Sequence, residues 1–141
     1  MREIKFRAWH KNAREFTFMD FDISDYRMGW KIEHDGSRDY RDFIFNQFTG
    51  LKDKNGKEIY EDDIVSFTRP VGNWTGRRMT TAHKIYFEEH ICAFVLDSIW
   101  NYTKFRNAPF YVYEILGNIH ENDFEKIKLA VEAVTPNEVQ K

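Results

Sequence analysis

The stretch from Thr49 to Val65 constrains the fold of this chain more than any other. Leu51 and Ile59 flank a polar run containing Asn55-Gly56, the dipeptide that accepts positive φ in hairpin turns. Beyond it, Asp63-Ile64-Val65-Ser66-Phe67 resumes strand alternation. A short turn between two such runs joins antiparallel neighbours, so the sequence predicts a hairpin feeding a core strand of a mainly β protein.

The flanking pattern agrees. Ile4, Phe6 and Ala8 alternate with Lys5, Arg7 and Trp9, which predicts a half-buried strand with an apolar and a polar face. Residues 15–21 repeat the pattern and predict its hairpin partner. Short strands are predicted at 28–32 and 43–48, and later ones at 84–88, 91–96, 99–105 and 110–116. Several are apolar on both faces, as in a closed barrel or a covered sheet. Pro70, Gly72 and Gly76 make residues 69–81 read as an exposed loop. The last element is a predicted helix, with Asn122 and Glu125 as a capping box and Phe124, Ile127, Val131 and Val134 at helical spacing.

The 141 residues fit a single domain, 1–141, large enough for its own core. One cysteine, Cys92, cannot form an internal disulfide, and the chain opens without an apolar leader; the expected location is a reducing cytoplasm. The longest apolar run, residues 91–96, is too short to cross a bilayer, so no membrane partner is expected. With 21 basic and 23 acidic side chains, the net charge of −2 argues against a general nucleic-acid binder. It leaves room for a local patch.

Candidate chemistry is sparse. Gly50 and Gly56 enclose five residues where a phosphate loop needs four, and Lys57 is followed by Glu58 rather than a hydroxyl residue. A calcium loop starting at Asp53 would place Lys57 among its ligands. Glu58, Glu61, Asp62 and Asp63 could hold a metal or act as paired carboxylates, but solvated charge at a hairpin exit explains them more simply. His90 and Cys92 lack the further ligands a zinc site needs. No catalytic residue, metal or cofactor is implied. Two basic features remain as candidate binding surfaces: Lys5, Arg7 and Trp9 at the N-terminus, and Arg69, Trp74, Arg77 and Arg78 in the predicted loop. The plain alternative for the first is an edge strand whose basic residues discourage aggregation.

The run Gln47-Phe48-Thr49-Gly50-Leu51-Lys52-Asp53-Lys54-Asn55-Gly56-Lys57-Glu58-Ile59-Tyr60-Glu61-Asp62-Asp63-Ile64-Val65 resembles the signature of the YopX family of phage and prophage proteins. The opening Arg2-Glu3-Ile4-Lys5-Phe6-Arg7-Ala8-Trp9 and the later Glu114-Ile115-Leu116-Gly117-Asn118-Ile119-His120-Glu121-Asn122 resemble the family's two ends. The resemblance implies a small SH3-like barrel with additional strands and one C-terminal helix. It brings no catalytic residues. The expected function is a phage or prophage accessory protein, a non-enzymatic binding or assembly module and a candidate homo-oligomer. The alternative is a nucleic-acid accessory factor using the basic, aromatic loop; a metal-dependent enzyme at the acidic hairpin exit is least expected. The family usually has glycine where this chain has Asp62; if that glycine adopts positive φ, Asp62 accepts its strain, and relief of that strain predicts that Asp62→Gly stabilises the fold.

Overall fold

The computed structural model describes residues 3–19, 42–72, 76–97, 103–104 and 110–134. Its strands are β1 (Phe6–His10), β2 (Glu15–Met19), β3 (Phe43–Lys52), β4 (Glu58–Tyr60), β5 (Asp63–Pro70), β6 (Arg78–Glu88), β7 (Ala93–Leu96), β8 (Thr103–Lys104) and β9 (Val112–Asn118). They form two antiparallel sheets, ordered β2-β1-β3-β4 and β8-β7-β6-β5-β9, and one helix, α1 (Phe124–Val134), follows. The protein is mainly β with a C-terminal helix. Among the described residues no helix is long and apolar enough to cross a membrane.

The Thr49–Val65 region folds as its residues dictate. Gly56 adopts φ +83°, and its amide donates to the Asp53 carbonyl at 3.0 Å, closing the turn between β3 and β4. Val65 and Phe67 then enter a core with Ile59, Ile85, Phe94, Leu96 and Tyr113. Phe67 stacks on Tyr113, its cross-strand partner, at 5.1 Å.

Three expectations need correction. β1 is not a half-wet strand: β2 and β3 flank it on both sides, Ile4 is exposed, and Arg7, Ala8, Trp9 and His10 are all buried. Residues 69–81 are not mainly a loop. β5 continues to Pro70 and β6 begins at Arg78, with Arg69 opposite Met79 and Thr68 opposite Thr80, whose hydroxyls meet at 2.8 Å. The β-branched threonines outweigh the nearby glycines. The helix cap is Asp123 rather than Asn122, since Asp123 Oδ1 accepts the amides of Glu125 and Lys126. The predicted strand at 28–32 and the end of the predicted helix lie outside the described residues, as does most of the predicted strand at 99–105.

The hairpin turn also seals a sheet edge. Asp53 Oδ1 accepts the amides of Asn55 and Lys57, while Oδ2 accepts the Ile115 amide of β9 at 3.2 Å. The Lys54 amide donates to the Tyr113 carbonyl at 2.9 Å. The exposed side of β9 is thereby paired by the turn of the other sheet. Burial alone would raise the Asp53 carboxyl, but the three amides outweigh it and hold its pKa below 3.8. We expect Asp53→Ala to cost about 2 kcal/mol in equilibrium unfolding, and Asp53→Asn less. Because the folded pKa is depressed, the carboxylate contributes fully above the unfolded value and loses its contribution as pH falls through the folded one. An acid titration of stability should therefore show a smaller loss below pH 3.8 in Asp53→Asn.

Candidate functional site

Where the two sheets meet, the acidic exit of the hairpin becomes a buried polar cluster. Glu61 and Asp62 make the two-residue turn between β4 and β5, and Asp62 has φ +66°. Its amide donates to the Ile85 carbonyl and its carbonyl accepts the Ile119 amide, so the left-handed backbone is pinned on both sides. The turn delivers Asp63, 2% exposed, to Arg7 of β1. Arg7 Nη2 lies 2.8 Å from Asp63 Oδ1 and also donates to the Glu61 carbonyl; Asp63 Oδ2 accepts the Tyr60 amide at 2.8 Å. The guanidinium sits over the rings of Phe16 (4.1 Å) and Tyr60 (4.9 Å). Burial pushes the Asp63 carboxyl up, against the pull of Arg7 and the Tyr60 amide.

Asn46 of β3 extends the cluster, accepting from Arg7 Nε at 3.4 Å and donating to Asp62 Oδ2 at 2.7 Å. His120 lies beyond it, stacked on Trp9 at 5.3 Å and edge-on to Phe16. Its Nε2 is 3.3 Å from Asp62 Oδ2. Burial holds its pKa below 6.5. A cleft of about 410 Å³ opens beside the cluster, lined in part by Arg7, Phe16, Tyr60, Asp63, Gly117 and Asn118.

The expectation that these acids are solvated charge is thus corrected. Glu58 pairs with Lys5 at 2.7 Å and accepts from the Tyr60 hydroxyl; Glu61 accepts the Gln47 amide; Asp62 and Asp63 face Asn46 and Arg7. Each carboxylate has its own protein partner, and among the described residues no three acidic, histidine or cysteine side chains converge as metal ligands. Of the candidate binding residues at the N-terminus, Arg7 and Trp9 are buried and Lys5 is partly exposed. Lys5 is shared between Glu3 and Glu58, Arg7 is buried on Asp63, and Trp9 is 4% exposed. Arg69, Arg77 and Arg78 come together at the far end of the β5–β6 ribbon; Trp74 lies outside the described residues. Sequence reasoning missed Asn46 and His120, whose partners are distant in the chain.

The match to known proteins spans this whole arrangement. The family described as YopX protein matches residues 5–124, from the start of β1 to the first residue of α1. The chain belongs to the YopX family. The crystal structure of protein EF1440 from Enterococcus faecalis is similar to this YopX chain, with 26% identity over 86% of this chain and 96% of that one, at a TM-score of 0.50. No curated protein matches it.

The cluster reverses the expected effect of Asp62→Gly. Glycine relieves a left-handed strain of roughly 1 kcal/mol, but it strands the buried Asn46 amide, at roughly 1–3 kcal/mol. Asp62→Gly should therefore lower stability in equilibrium unfolding, and Asp62→Asn should lower it less. Arg7→Met, which leaves Asp63 buried without its counter-charge, should cost about 3–5 kcal/mol. A second expectation concerns pH. His83, whose Nδ1 donates to the Asp97 carbonyl at 2.6 Å, is also held below 6.5 by burial. The folded state resists protonating both histidines, so their contribution is whole above 6.5 and declines as pH falls below it. Unfolding midpoints measured between about pH 7.5 and 5.5 should fall, and fall less in His83→Gln.

Proposed function

We propose that this YopX-family chain is a non-enzymatic binding or assembly module, encoded by a phage or prophage and working in the cytoplasm of the bacterial host. The observation that carries this reading is the commitment of the polar cluster. Arg7, Asn46, Asp62 and Asp63 bond to one another and to backbone groups of the other strands. Groups so committed brace two sheets, and each hydrogen bond or ion pair among them would have to be given up before a substrate or metal could take its place. A metal-dependent reaction at Glu61 and Asp63 has less support for the same reason.

The proposed frame is an SH3-like barrel with added strands, supported by the Asp53 turn that binds one sheet to the edge of the other. Self-association is part of the proposal. Phe87 and Ile91, at the connection from β6 to β7, are about two-fifths exposed and offer apolar area to a second copy. Sedimentation velocity over a wide concentration range tests it. A discrete oligomer, weakened by Phe87→Ser, is the expected outcome, and a monomer at every concentration removes the self-assembly claim. Co-purification from cells in which the encoding element is induced tests the rest. A defined complex retained by Glu61→Gln is expected, and a turnover activity of the native chain that Glu61→Gln abolishes would overturn the module reading.

A further inference from the structure

We propose that the cleft beside the polar cluster binds a small, neutral, largely apolar molecule through a carbonyl oxygen that accepts from Arg7. This inference rests on the reading of the chain as a binding module and names the ligand chemistry of one site.

The donor is the first argument. Arg7 Nε donates to Asn46, and Nη2 donates to Asp63 Oδ1 and to the Glu61 carbonyl. Nη1 has no acceptor among the described residues, although the Arg7 side chain is only 9% exposed. A guanidinium carries its N–H donors in a fixed fork, so those on Nη1 are left over. Arg7 forms part of the cleft lining, which is where its remaining accessible surface opens. A nearly buried donor without an acceptor is uncommon in a folded protein, and a ligand oxygen in the cleft would satisfy it. The guanidinium is also held before any ligand arrives. It lies over the rings of Phe16 and Tyr60 at 4.1 and 4.9 Å, so binding does not have to immobilise it.

Charge selects the ligand. The lining holds the cations Arg7 and Lys57 and the carboxylates Glu58, Asp63 and Glu121. Asp63 neutralises Arg7 at 2.8 Å, and Lys5 neutralises Glu58 at 2.7 Å. Lys57 and Glu121, both exposed, then oppose each other in sign. No net charge is left over to attract an ion. A carboxylate placed on Arg7 would bring a second negative charge beside the buried Asp63, and an ammonium would face the guanidinium. A neutral carbonyl meets neither penalty. Phe16, Tyr60 and Ile115 add apolar walls, and the volume of about 410 Å³ falls within the range of small-molecule sites, roughly 300–1,000 Å³.

The test uses the whole chain, isotope-labelled for amide NMR, and benzamide as the probe, a neutral ring with a single carbonyl. Saturable shifts are expected at the Arg7 Nε–H signal and at the backbone amides of Ile115, Gly117 and Asn118. For so small a molecule the dissociation constant should be on the order of millimolar. Benzoate and benzylamine keep the ring and add a charge, and should bind about tenfold more weakly or not at all. Phe16→Leu, which removes the ring wall and keeps an apolar side chain, should weaken benzamide by about threefold or more, with the thermal midpoint reporting whether the fold is intact. No saturable shift, shifts confined to residues away from the cleft, benzoate binding as tightly as benzamide, or binding indifferent to a folded Phe16→Leu would each overturn the inference. The mapping is made on the native chain, so it decides the matter even where the variant fails to fold. Absence of benzamide binding leaves the module reading standing, because that reading is judged on the oligomer and the co-purified complex.

Discussion

The ion pair between Arg7 and Asp63 is the contact on which the arrangement of the two sheets depends. One partner lies in the centre of the first sheet and the other at the first residue of β5 in the second. Two charges taken out of water gain little on balance from their mutual attraction. What the pair supplies is geometry. Asp63 must place one oxygen on Arg7 and the other on the Tyr60 amide, while Arg7 also reaches the Glu61 carbonyl and lies over two aromatic rings. Few relative positions of the sheets satisfy all of these together. The left-handed Asp62 belongs to the same constraint, because the turn that orients Asp63 needs that backbone and the Asp62 carboxylate secures Asn46.

The hairpin does for the outer edge what the ion pair does inside. Its asparagine-glycine turn is local chemistry, and that is why it was legible in the sequence. The carboxylate of Asp53 looked like a failed calcium ligand because its true partner, the Ile115 amide, is 62 residues away. A residue that satisfies two turn amides and one edge amide leaves no reason to seek a ligand in the loop. The polarity of the signature run is therefore mostly structural, with its charges facing protein as often as solvent.

The errors in the sequence reading share one physical origin. Alternation at residues 3–9 reports which side chains share a face, not whether a second sheet covers the polar one, so the pattern alone places Arg7 and Trp9 at the surface. Four neighbouring carboxylates read as solvated charge because their partners, at Lys5, Asn46, Gln47 and Arg7, sit on strands far away in sequence. The hairpin turn, the helix, the strands at 15–19 and 43–48 and the family are readable from short windows. The brace between the sheets, including His120 against Trp9, arises only when distant windows meet.

Residues 69–81 show the same limit from the other side. Glycine and proline punctuate that stretch like a loop, yet ladder pairs from Thr68–Thr80 to Pro70–Arg78 carry strand order well into it. The distinction matters for recognition. A floppy basic loop loses conformational freedom when it binds, at roughly 0.5–1.5 kcal/mol per immobilised side chain besides its backbone. A paired ribbon has already lost most of its backbone freedom during folding. In the body of the fold Lys5, Arg7, Lys54 and Lys84 sit against carboxylates, while β5 and β6 set Arg69 and Arg78 on strands that are already ordered.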